Sequence, residues 1–426
     1  MTDTPRPTDP GDPAGPAGLP HRVRFPSPLV RVDGSLELED TGRGIRPRRL
    51  PAWTRPQLPD PFFDLGVQTA AGVRLVVRTE AKALALTVHT TRLQVAGEEA
   101  VPAALDLVAD GGFADGDFAD GGSADDEAAD GDFAGGELTD RGAVRRVPLT
   151  GGDLAQLASP HEAPGFLAGE AETALFTGLP SGEKEVRIWL PHTAACDLVA
   201  LAADAELLPP GPPSGPRWVH YGSSISHCLE AEGPTGTWPA VAAAAAGLHG
   251  TNLGFAGNAM LDPFVARTLR DLPADLITLK AGINIAAGAT MRLRTFLPAV
   301  HGFLDTVREG HPRTPLVVIS PLPCPALEER PGPAEPDPET GAPRATGDPE
   351  DVALGALTLA VIRTELERLV AERRGSDPEL HYLDGRKLLK PNETDELPDG
   401  LHPSATAYRT IGLRFADLIS PCLNGR

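Results

Sequence analysis

The chain has 426 residues and a formal net charge of −21, from 38 basic and 59 acidic side chains. This length predicts two or three domains, and the excess of acidic side chains argues against a nucleic-acid-binding protein, since phosphate binding needs a basic surface. Four cysteines are too few for a disulfide-rich fold. The sequence has no run of eighteen apolar residues and no leader with a basic start and an apolar stretch. We therefore expect no membrane span, no secretion signal and a cytoplasmic location.

The first half of the chain is typical of an all-β domain. Residues 1–20 are rich in Pro, Gly and Asp, which predicts a disordered tail. Residues 21–208 contain short runs rich in Val and Leu that are punctuated by Gly and Pro, with no amphipathic helix between them. This pattern predicts an antiparallel β-sandwich. Its clearest strands are predicted at 29–38, 73–77, 84–88 and 186–190.

An acidic, low-complexity insertion interrupts this predicted domain at residues 110–140. The insertion carries eleven acidic residues and no basic residue. Its spacing does not fit a calcium-binding EF-hand loop, because a loop that starts at Asp115 would have Ala119 at its fifth position and Asp120 where glycine is required. We therefore predict a solvated loop between two strands.

A Pro-rich linker at 209–216 precedes a region, 217–426, in which apolar strands alternate with helical segments. Such alternation predicts an α/β domain, a parallel sheet with helices on both faces. The clearest helix is predicted at 350–374, with Asp348 as its cap. A second insertion, 328–351, is rich in Pro and acidic residues and is predicted to be unstructured, with a role as a lid as the alternative. The strands of the sheet are predicted at 218–221, 251–255, 276–280, 316–320 and 381–383.

Four short motifs follow strands or loops of this α/β region, and sites in such folds form in loops at the carboxyl ends of the strands. Each motif by itself has an ordinary structural interpretation, such as a helix cap or a turn. Their order along the chain, at one predicted edge of the sheet, favours a shared site instead. The motifs are Gly222-Ser223-Ser224, Asn252-x-Gly-x-x-Gly257, Gly282-Ile283-Asn284 and Asp399-x-x-His402.

These residue types suit acyl transfer through a serine. A serine hydroxyl needs a base before it can act as a nucleophile, and a histidine oriented by a carboxylate supplies that base. Asp399 and His402 are three residues apart, so one loop can present both. The oxyanion that develops needs preorganised donors. The backbone amides of Ser224 and Gly257 and the side chain of Asn284 are the candidates.

This set of motifs resembles the SGNH, or GDSL-type, hydrolase family, and the resemblance covers the whole α/β region. It implies a flavodoxin-like, three-layer catalytic domain. It also implies that Ser224 is the nucleophile, His402 the base and Asp399 its orienting acid, with Ser224, Gly257 and Asn284 forming the oxyanion hole. A branch of the family with a Gly-Ser-Ser variant of the first motif also carries an N-terminal β-sandwich, in the same order as the domains predicted here.

Two positions depart from the family's pattern. Ser223 stands where the family usually has Asp before the nucleophile, and Ile285 stands where the family often has Asp after the asparagine. Neither residue supplies a reacting atom in the scheme above. The first departure puts the hydrogen bonding of the nucleophile turn in question, and the second removes a buried support.

Other residues near the motifs have two interpretations each. His227 and Cys228 follow the nucleophile and could line a pocket or pack behind it. Trp238 is expected to pack the first helix onto the sheet, with stacking on a substrate as the alternative. Cys324 follows the fourth strand and is expected to edge the cleft, and the sequence leaves open whether it pairs with Cys228. His220, on the first strand, is predicted to be a core residue.

The leading hypothesis is a serine esterase that cleaves a carboxylic ester of a small molecule. The alternative is an acyltransferase that moves the acyl group from a thioester or ester donor to an alcohol. A non-catalytic binding protein is the third and weakest hypothesis. No metal-binding or phosphate-loop motif is present, so we predict neither a metal nor another cofactor. The sequence does not determine the acyl group, the acceptor or the oligomeric state.

Overall fold

The computed structural model describes residues 18–95, 99–110, 144–158 and 162–423. Almost all of the predicted tail 1–20 and of the acidic insertion 110–140 lies outside these residues. None of the helices in the described ranges is long and apolar enough to cross a membrane.

The described residues of the N-terminal part form two sheets of mostly antiparallel strands, together with one α-helix, α1 (Pro61–Gln68). The strands are β1 His21–Arg24, β2 Arg31–Asp33, β3 Glu37–Asp40, β4 Ile45–Arg48, β5 Arg74–Thr79, β6 Leu84–Val95, β7 Ala103–Ala109, β8 Arg145–Leu149, β9 Asp153–Leu157, β10 Gly165–Leu167, β11 Glu172–Phe176, β12 Lys184–Trp189, β13 Ala194–Ala203 and β14 Leu207–Leu208. Within the described residues, one sheet has eight strands in the order β10-β9-β6-β13-β4-β3, with β1 also paired to β13 and β11 to β6. The other has six strands in the order β14-β5-β12-β7-β8, with β2 also paired to β5.

The two N-terminal sheets share one hydrophobic core. In β12, buried and half-buried residues alternate, as expected for a strand with one apolar face, and Val186 and Ile188 are completely buried. These side chains belong to a single cluster with Leu75 of the same sheet and Leu86 of the other sheet. Burial of this apolar surface holds the two sheets together.

The C-terminal part contains a parallel five-stranded sheet in the order β16-β15-β17-β18-β21, and a separate hairpin, β19–β20. Its strands are β15 Arg217–Gly222, β16 His249–Gly254, β17 Leu276–Lys280, β18 Leu316–Ile319, β19 Ala334–Pro336, β20 Pro343–Ala345 and β21 Leu380–Leu383. Its helices are α2 Ser224–His227, α3 Trp238–Ala246, α4 Pro263–Asp271, α5 Ile283–Ala287, α6 Leu293–Gly310, α7 Leu359–Arg373 and α8 Ala405–Leu423. Short 3₁₀ turns lie at Ala52–Gln57, Pro234–Gly236, Pro325–Leu327, Pro349–Leu354, Gly385–Lys387 and Thr394–Glu396.

The central strand β17 shows why the strands of the parallel sheet have mostly apolar sequences. All five of its residues are buried, because helices cover alternate side chains along the strand. Ile277 and Leu279 belong to a cluster with residues of α4, α6 and α7. Leu276 belongs to a second cluster with residues of α3 and α8. The five predicted strands of this region are all present, with bounds that differ by at most two residues.

The expectation that no helix interrupts the N-terminal strands is wrong. Helix α1 lies between β4 and β5, with Pro61 in its first turn and the Asp60 side chain accepting a hydrogen bond from the Phe63 amide at 2.7 Å. Phe63 does not join the N-terminal core. Its ring centroid lies 5.1 Å from that of Phe255 and 5.6 Å from that of Phe264, so α1 packs on the C-terminal part.

The single helix predicted at 350–374 is two elements. Asp348 caps only a 3₁₀ turn, which ends at Gly355, where φ is +90°. Helix α7 then begins at Leu359, and Thr358 caps it by accepting a hydrogen bond from the Val361 amide at 3.2 Å. The helical spacing of apolar residues extends across the break, which is why the sequence suggests one helix.

The prediction that residues 328–351 are unstructured is wrong. They contain the hairpin β19–β20, whose Ala345 is buried in the larger core cluster. Arg363 of α7 holds the start of the segment, with Nη1 donating to Glu328 at 2.6 Å. A Cβ at Gly400 would lie 3.4 Å from the Pro343 ring, so the hairpin packs beside the loop that carries Asp399 and His402.

A buried guanidinium joins the two parts of the chain. Arg49 follows β4 and has no solvent-exposed surface. On one side it donates to the carbonyls of Gly66 and Thr69 at the end of α1, and to the Thr69 hydroxyl. On the other side its Nη1 donates to the carbonyls of Asn252 at 3.3 Å and Gly254 at 2.6 Å, in β16. Burial lowers the pKa of Arg49 to about 9, so the group is charged at neutral pH and depends on these acceptors.

Replacing this arginine is expected to destabilise the protein. In Arg49→Met, the buried carbonyls lose their donor, which we expect to lower the free energy of unfolding by about 3 kcal/mol. Urea denaturation followed by circular dichroism and tryptophan fluorescence measures the change. The matched control is Arg78→Met, because Arg78 pairs with Glu183 at the surface, where a pair contributes about 0.5 kcal/mol. Equal effects of the two substitutions would contradict the role assigned to Arg49.

Candidate active site

The first motif places a serine at the start of a helix at the carboxyl end of the parallel sheet. Strand β15 ends at Gly222 and α2 begins at Ser224. The turn is packed tightly against β16, because a Cβ at Gly254 would clash with the backbone of Ser226. The side chain of Asn252 fixes the same contact, with Nδ2 donating to the Ser226 carbonyl at 2.8 Å. The second motif therefore supports the first.

Three side chains form a continuous hydrogen-bonded path. His402 Nε2 lies 2.8 Å from Ser224 Oγ, and His402 Nδ1 lies 2.6 Å from Asp399 Oδ2. The other carboxylate oxygen of Asp399 accepts from the backbone amides of Leu401 at 2.9 Å and His402 at 2.6 Å. The structure thus brings together all three residues expected from the first and fourth motifs.

The protonation states of Asp399 and His402 follow from the contacts of the two side chains. Burial tends to raise the pKa of Asp399, but the His402 ring and the two backbone amides outweigh it and lower the pKa to about 2. Because the carboxylate can only accept, His402 Nδ1 donates to it, and the lone pair on Nε2 faces the Ser224 hydroxyl. Burial also tends to lower the pKa of His402, but the hydrogen bond that the ring donates to Asp399 and the charges of Glu230 and Asp399 raise it overall.

The second and third motifs form the loops after β16 and β17, the two strands that flank β15 in the sheet. Asn284 Oδ1 accepts from the backbone amide of Ala259 at 3.0 Å, which fixes the side chain and leaves its Nδ2 group as a donor. Gly257 lies in the turn after β16, and a Cβ there would be 3.3 Å from the ring of Phe62. Phe62 belongs to α1, so the N-terminal part of the chain reaches this turn.

The four residues named as possible pocket residues, His227, Cys228, Cys324 and Trp238, are all buried, each with at most 2 % of its surface exposed. His227 Nε2 contacts the His192 carbonyl at 2.7 Å. Cys228 Sγ donates to the Ile225 carbonyl, and Cys324 Sγ lies 3.4 Å from the carbonyl of Gly400, in the loop of the fourth motif. All four cysteines of the chain are free, so Cys228 and Cys324 do not pair.

The fourth of these residues, Trp238, packs in the core with the ring of His220, whose centroid is 4.7 Å away. His220 is a core residue, as predicted. Its two ring nitrogens contact the hydroxyls of Thr278 and Ser226, both at 2.7 Å. Burial lowers the pKa of His220 to about 3, so this ring is neutral and holds α2 to the sheet. The aromatic packing gives Trp238 the helix-to-sheet role rather than the stacking role.

The two departures from the motif pattern have different surroundings. Ile285 is buried in the larger core cluster, where an apolar side chain fits. Ser223 is completely buried, and among the described residues its hydroxyl has no hydrogen-bond partner. Ser223 therefore does not rebuild the hydrogen bonds that an aspartate would make in this turn.

Sequence reasoning missed two charged residues that act on the histidine. Glu230 Oε1 lies 3.5 Å from His402 Nδ1. Lys280, at the end of β17, is 2 % exposed, and burial lowers its pKa to about 8, while its charge acts to lower the pKa of His402. Neither belongs to a motif, and their effect on His402 follows from the tertiary fold. In the described part of the chain, no group of three His, Cys, Asp or Glu residues is arranged to hold a metal ion.

Comparison with known proteins finds solved structures with a similar overall fold. The chain is 27 % identical to the salicylyl-acyltransferase SsfX3 from a tetracycline biosynthetic pathway, with a TM-score of 0.73, over 96 % of this chain and 99 % of that one. A protein described as a GDSL-like lipase from Bacteroides ovatus is 19 % identical, with a TM-score of 0.60, over 92 % of this chain and 95 % of that one. A family two carbohydrate esterase from Clostridium thermocellum shares the fold at 12 % identity and a TM-score of 0.53, over 92 % and 98 %.

No curated protein matches the sequence closely enough to be informative. Residues 220–410, which contain all four motifs, match the GDSL-like lipase/acylhydrolase family. Together with the fold shared over nearly the whole chain with SsfX3, this match identifies residues 220–410 as a region of the GDSL-like lipase/acylhydrolase family of enzymes.

Proposed function

We propose that the protein is a serine esterase that cleaves a carboxylic ester through an acyl-enzyme intermediate on Ser224. The observation that carries the proposal is the path from Asp399 through His402 to the Ser224 hydroxyl, with hydrogen bonds of 2.6 and 2.8 Å. In this proposal, residues 217–426 form a three-layer, flavodoxin-like catalytic domain. Residues 21–208 form a β-sandwich that contributes α1 to the edge of the site.

The first step forms the acyl-enzyme. Ser224 Oγ attacks the ester carbonyl carbon, and its proton passes to His402 Nε2. The carbonyl oxygen becomes an oxyanion, which the backbone amides of Ser224 and Gly257 and the Nδ2 group of Asn284 stabilise. When the tetrahedral intermediate collapses, the bond to the alcohol breaks, and His402 returns its proton to the leaving oxygen.

The second step releases the acid. A water molecule attacks the acyl carbon and gives a proton to His402 Nε2, which then protonates Ser224 Oγ as the acyl–serine bond breaks. Asp399 is anionic throughout, because its pKa is held at about 2, and it balances the imidazolium that forms in both steps. Both steps use only residues of this chain, the ester and water.

The adjacent residues Ser223 and Ser224 allow a matched test of which serine is the nucleophile. Ser224→Ala is expected to abolish labelling by a fluorophosphonate and to lower kcat on p-nitrophenyl acetate by at least about 10³-fold. Ser223→Ala is the control, since its hydroxyl has no partner among the described residues and does not contact His402. Intact-protein mass spectrometry and steady-state kinetics give the two readouts. Labelling that persists in Ser224→Ala would contradict the proposal.

The donor role of Asn284 is tested by a substitution that keeps its shape. Asn284→Asp retains an oxygen to accept from the Ala259 amide but replaces the Nδ2 donor with an acceptor. We expect kcat to fall by about 10²- to 10³-fold with little change in KM, because the donor acts on the oxyanion and not on the bound ester. A change confined to KM would show that Asn284 binds substrate and does not stabilise the transition state.

An acyltransferase is the second candidate, favoured by the similarity to a salicylyl-acyltransferase over nearly the whole of both chains. The acyl-serine would form in the same way, and an alcohol would replace water in the second step. The Phe62 ring beside Gly257 gives an apolar surface that suits an aromatic acyl group.

Product analysis separates the two candidates. The enzyme is incubated with the N-acetylcysteamine thioester of salicylate or of acetate, with and without a panel of small alcohols and phenols. Transfer predicts that new ester forms in excess of free acid, as measured by liquid chromatography and mass spectrometry, because an acceptor bound at the site competes with water. Free acid as the sole product across the panel would support the esterase.

A further inference from the structure

Two carboxylates converge on one nitrogen of the catalytic histidine. Asp399 Oδ2 lies 2.6 Å from His402 Nδ1, and Glu230 Oε1 lies 3.5 Å from the same atom. Glu230 is six residues after Ser224, in the loop between α2 and α3. Glu230 therefore comes from the loop that follows the nucleophile helix α2, whereas Asp399 lies in the same loop as His402.

The position of Glu230 is fixed by a buried tyrosine. The Tyr408 hydroxyl donates to Glu230 Oε2 at 2.8 Å, and Tyr408 has no exposed surface. Burial raises the pKa of Tyr408 far above its ordinary value, so the hydroxyl stays protonated and can only donate to the carboxylate. One oxygen of Glu230 is thus held by α8, and the other faces His402. A surface side chain with no role beyond solubility would not need this anchor.

The loop that carries Glu230 is also fastened to the N-terminal sheets. Thr235, at the far end of the loop, donates from its amide to Asp106 at 3.0 Å and from its hydroxyl at 2.7 Å. Asp106 is completely buried in β7, and the Arg146 guanidinium balances its charge at 2.7 Å. At the near end, Cys228 adopts a left-handed conformation that closes α2. The loop therefore has fixed ends on both sides of Glu230.

We propose that Glu230 is a positioning residue that shares with Asp399 the orientation and charge stabilisation of His402. The inference rests on the proposed acyl-serine function. The carboxylate of Glu230 adds to the electrostatic stabilisation of the imidazolium that forms when Ser224 gives up its proton. It also faces Nδ1 from a second direction, which restricts rotation of the ring.

The charged and titratable groups around His402 set the sign of the expected effect. Asp399 and Glu230 favour the charged ring, and Lys280 on β17 disfavours it. Tyr408 and Cys228, which interact with Glu230, and Cys324, which interacts with Asp399, are neutral at ordinary pH because burial raises the pKa of each. Removing the negative charge of Glu230 lowers the pKa of His402, so the base stays neutral, and the enzyme stays active, to a lower pH.

The first test is the pH profile of kcat/KM for hydrolysis of p-nitrophenyl acetate. Glu230→Gln keeps the size of the side chain and an oxygen that can accept from Tyr408, and it should move the acid limb to lower pH by about half a pH unit. Glu232→Gln is the matched control, since it removes the same charge from the same loop at a side chain that is 76 % exposed and pairs loosely with Arg146. An acid limb that moves equally in both variants, or in neither, would overturn the inference.

The second test removes the first carboxylate. Asp399→Ala leaves Glu230 as the carboxylate nearest to His402, so adding Glu230→Gln to Asp399→Ala should lower kcat by at least about a further tenfold. If the double variant is no slower than Asp399→Ala, Glu230 does not share the role.

The third test does not depend on catalysis. The pKa of the His402 ring is measured by NMR on protein labelled with ¹⁵N-histidine, with the resonance assigned by its loss in His402→Gln. Glu230→Gln should lower this pKa and Glu232→Gln should not. If Ser224→Ala shows that the esterase proposal fails, this measurement still tests the contact. If Ser224 is the nucleophile and the ring pKa does not change, the inference about Glu230 alone is wrong.

Discussion

The buried guanidinium of Arg49 is the contact on which the arrangement of the site depends. A charge removed from water is tolerated when its donors all have acceptors, and Arg49 takes its acceptors from both parts of the chain. Gly254 ends the strand that leads into the Gly257 turn, and Gly66 and Thr69 end the helix that carries Phe62. The strand and the helix therefore cannot move apart without leaving the guanidinium or its carbonyls unpaired. The geometry around Gly257 therefore depends on contacts from both the N-terminal and the C-terminal part of the chain.

Three histidines near the nucleophile turn show how burial and neighbouring charges give the same residue type different roles. His220 and His227 are buried, and burial, followed by the positive charge of Lys280 for His220 and of Arg49 for His227, lowers the pKa of each, so both are neutral hydrogen-bonding residues of the core. His402 is partly enclosed as well, but its neighbours Asp399 and Glu230 are negatively charged, and its pKa is raised. The ring that faces two carboxylates is the one suited to accept and return a proton near neutral pH.

The motifs and the parallel sheet could be predicted because both depend on local sequence. Apolar runs of four to six residues indicate buried strands, and motif residues that follow those strands necessarily meet at one edge of the sheet. Helix α1 was missed because it is short and its apolar face packs on the other half of the chain, although Asp60 and Pro61 are ordinary signals of a helix start. Glu230 could not have been found in this way, since its contact with His402 joins residues 172 positions apart (402 − 230). Only the tertiary fold brings those two together.

The span between Arg49 and its acceptors also bears on how the chain folds during synthesis. The bond from Arg49 to the Gly254 carbonyl links residues 205 positions apart, and the ring contact of Phe63 with Phe255 has a similar span. Contacts this distant form late, after much of the loop entropy has been lost. When the ribosome has released only the N-terminal sheets, Arg49 lacks its carbonyls and the apolar face of α1 lacks its cover. The contacts of Arg49 and α1 are therefore completed only after β16 has emerged, and until then the apolar face of α1 is exposed.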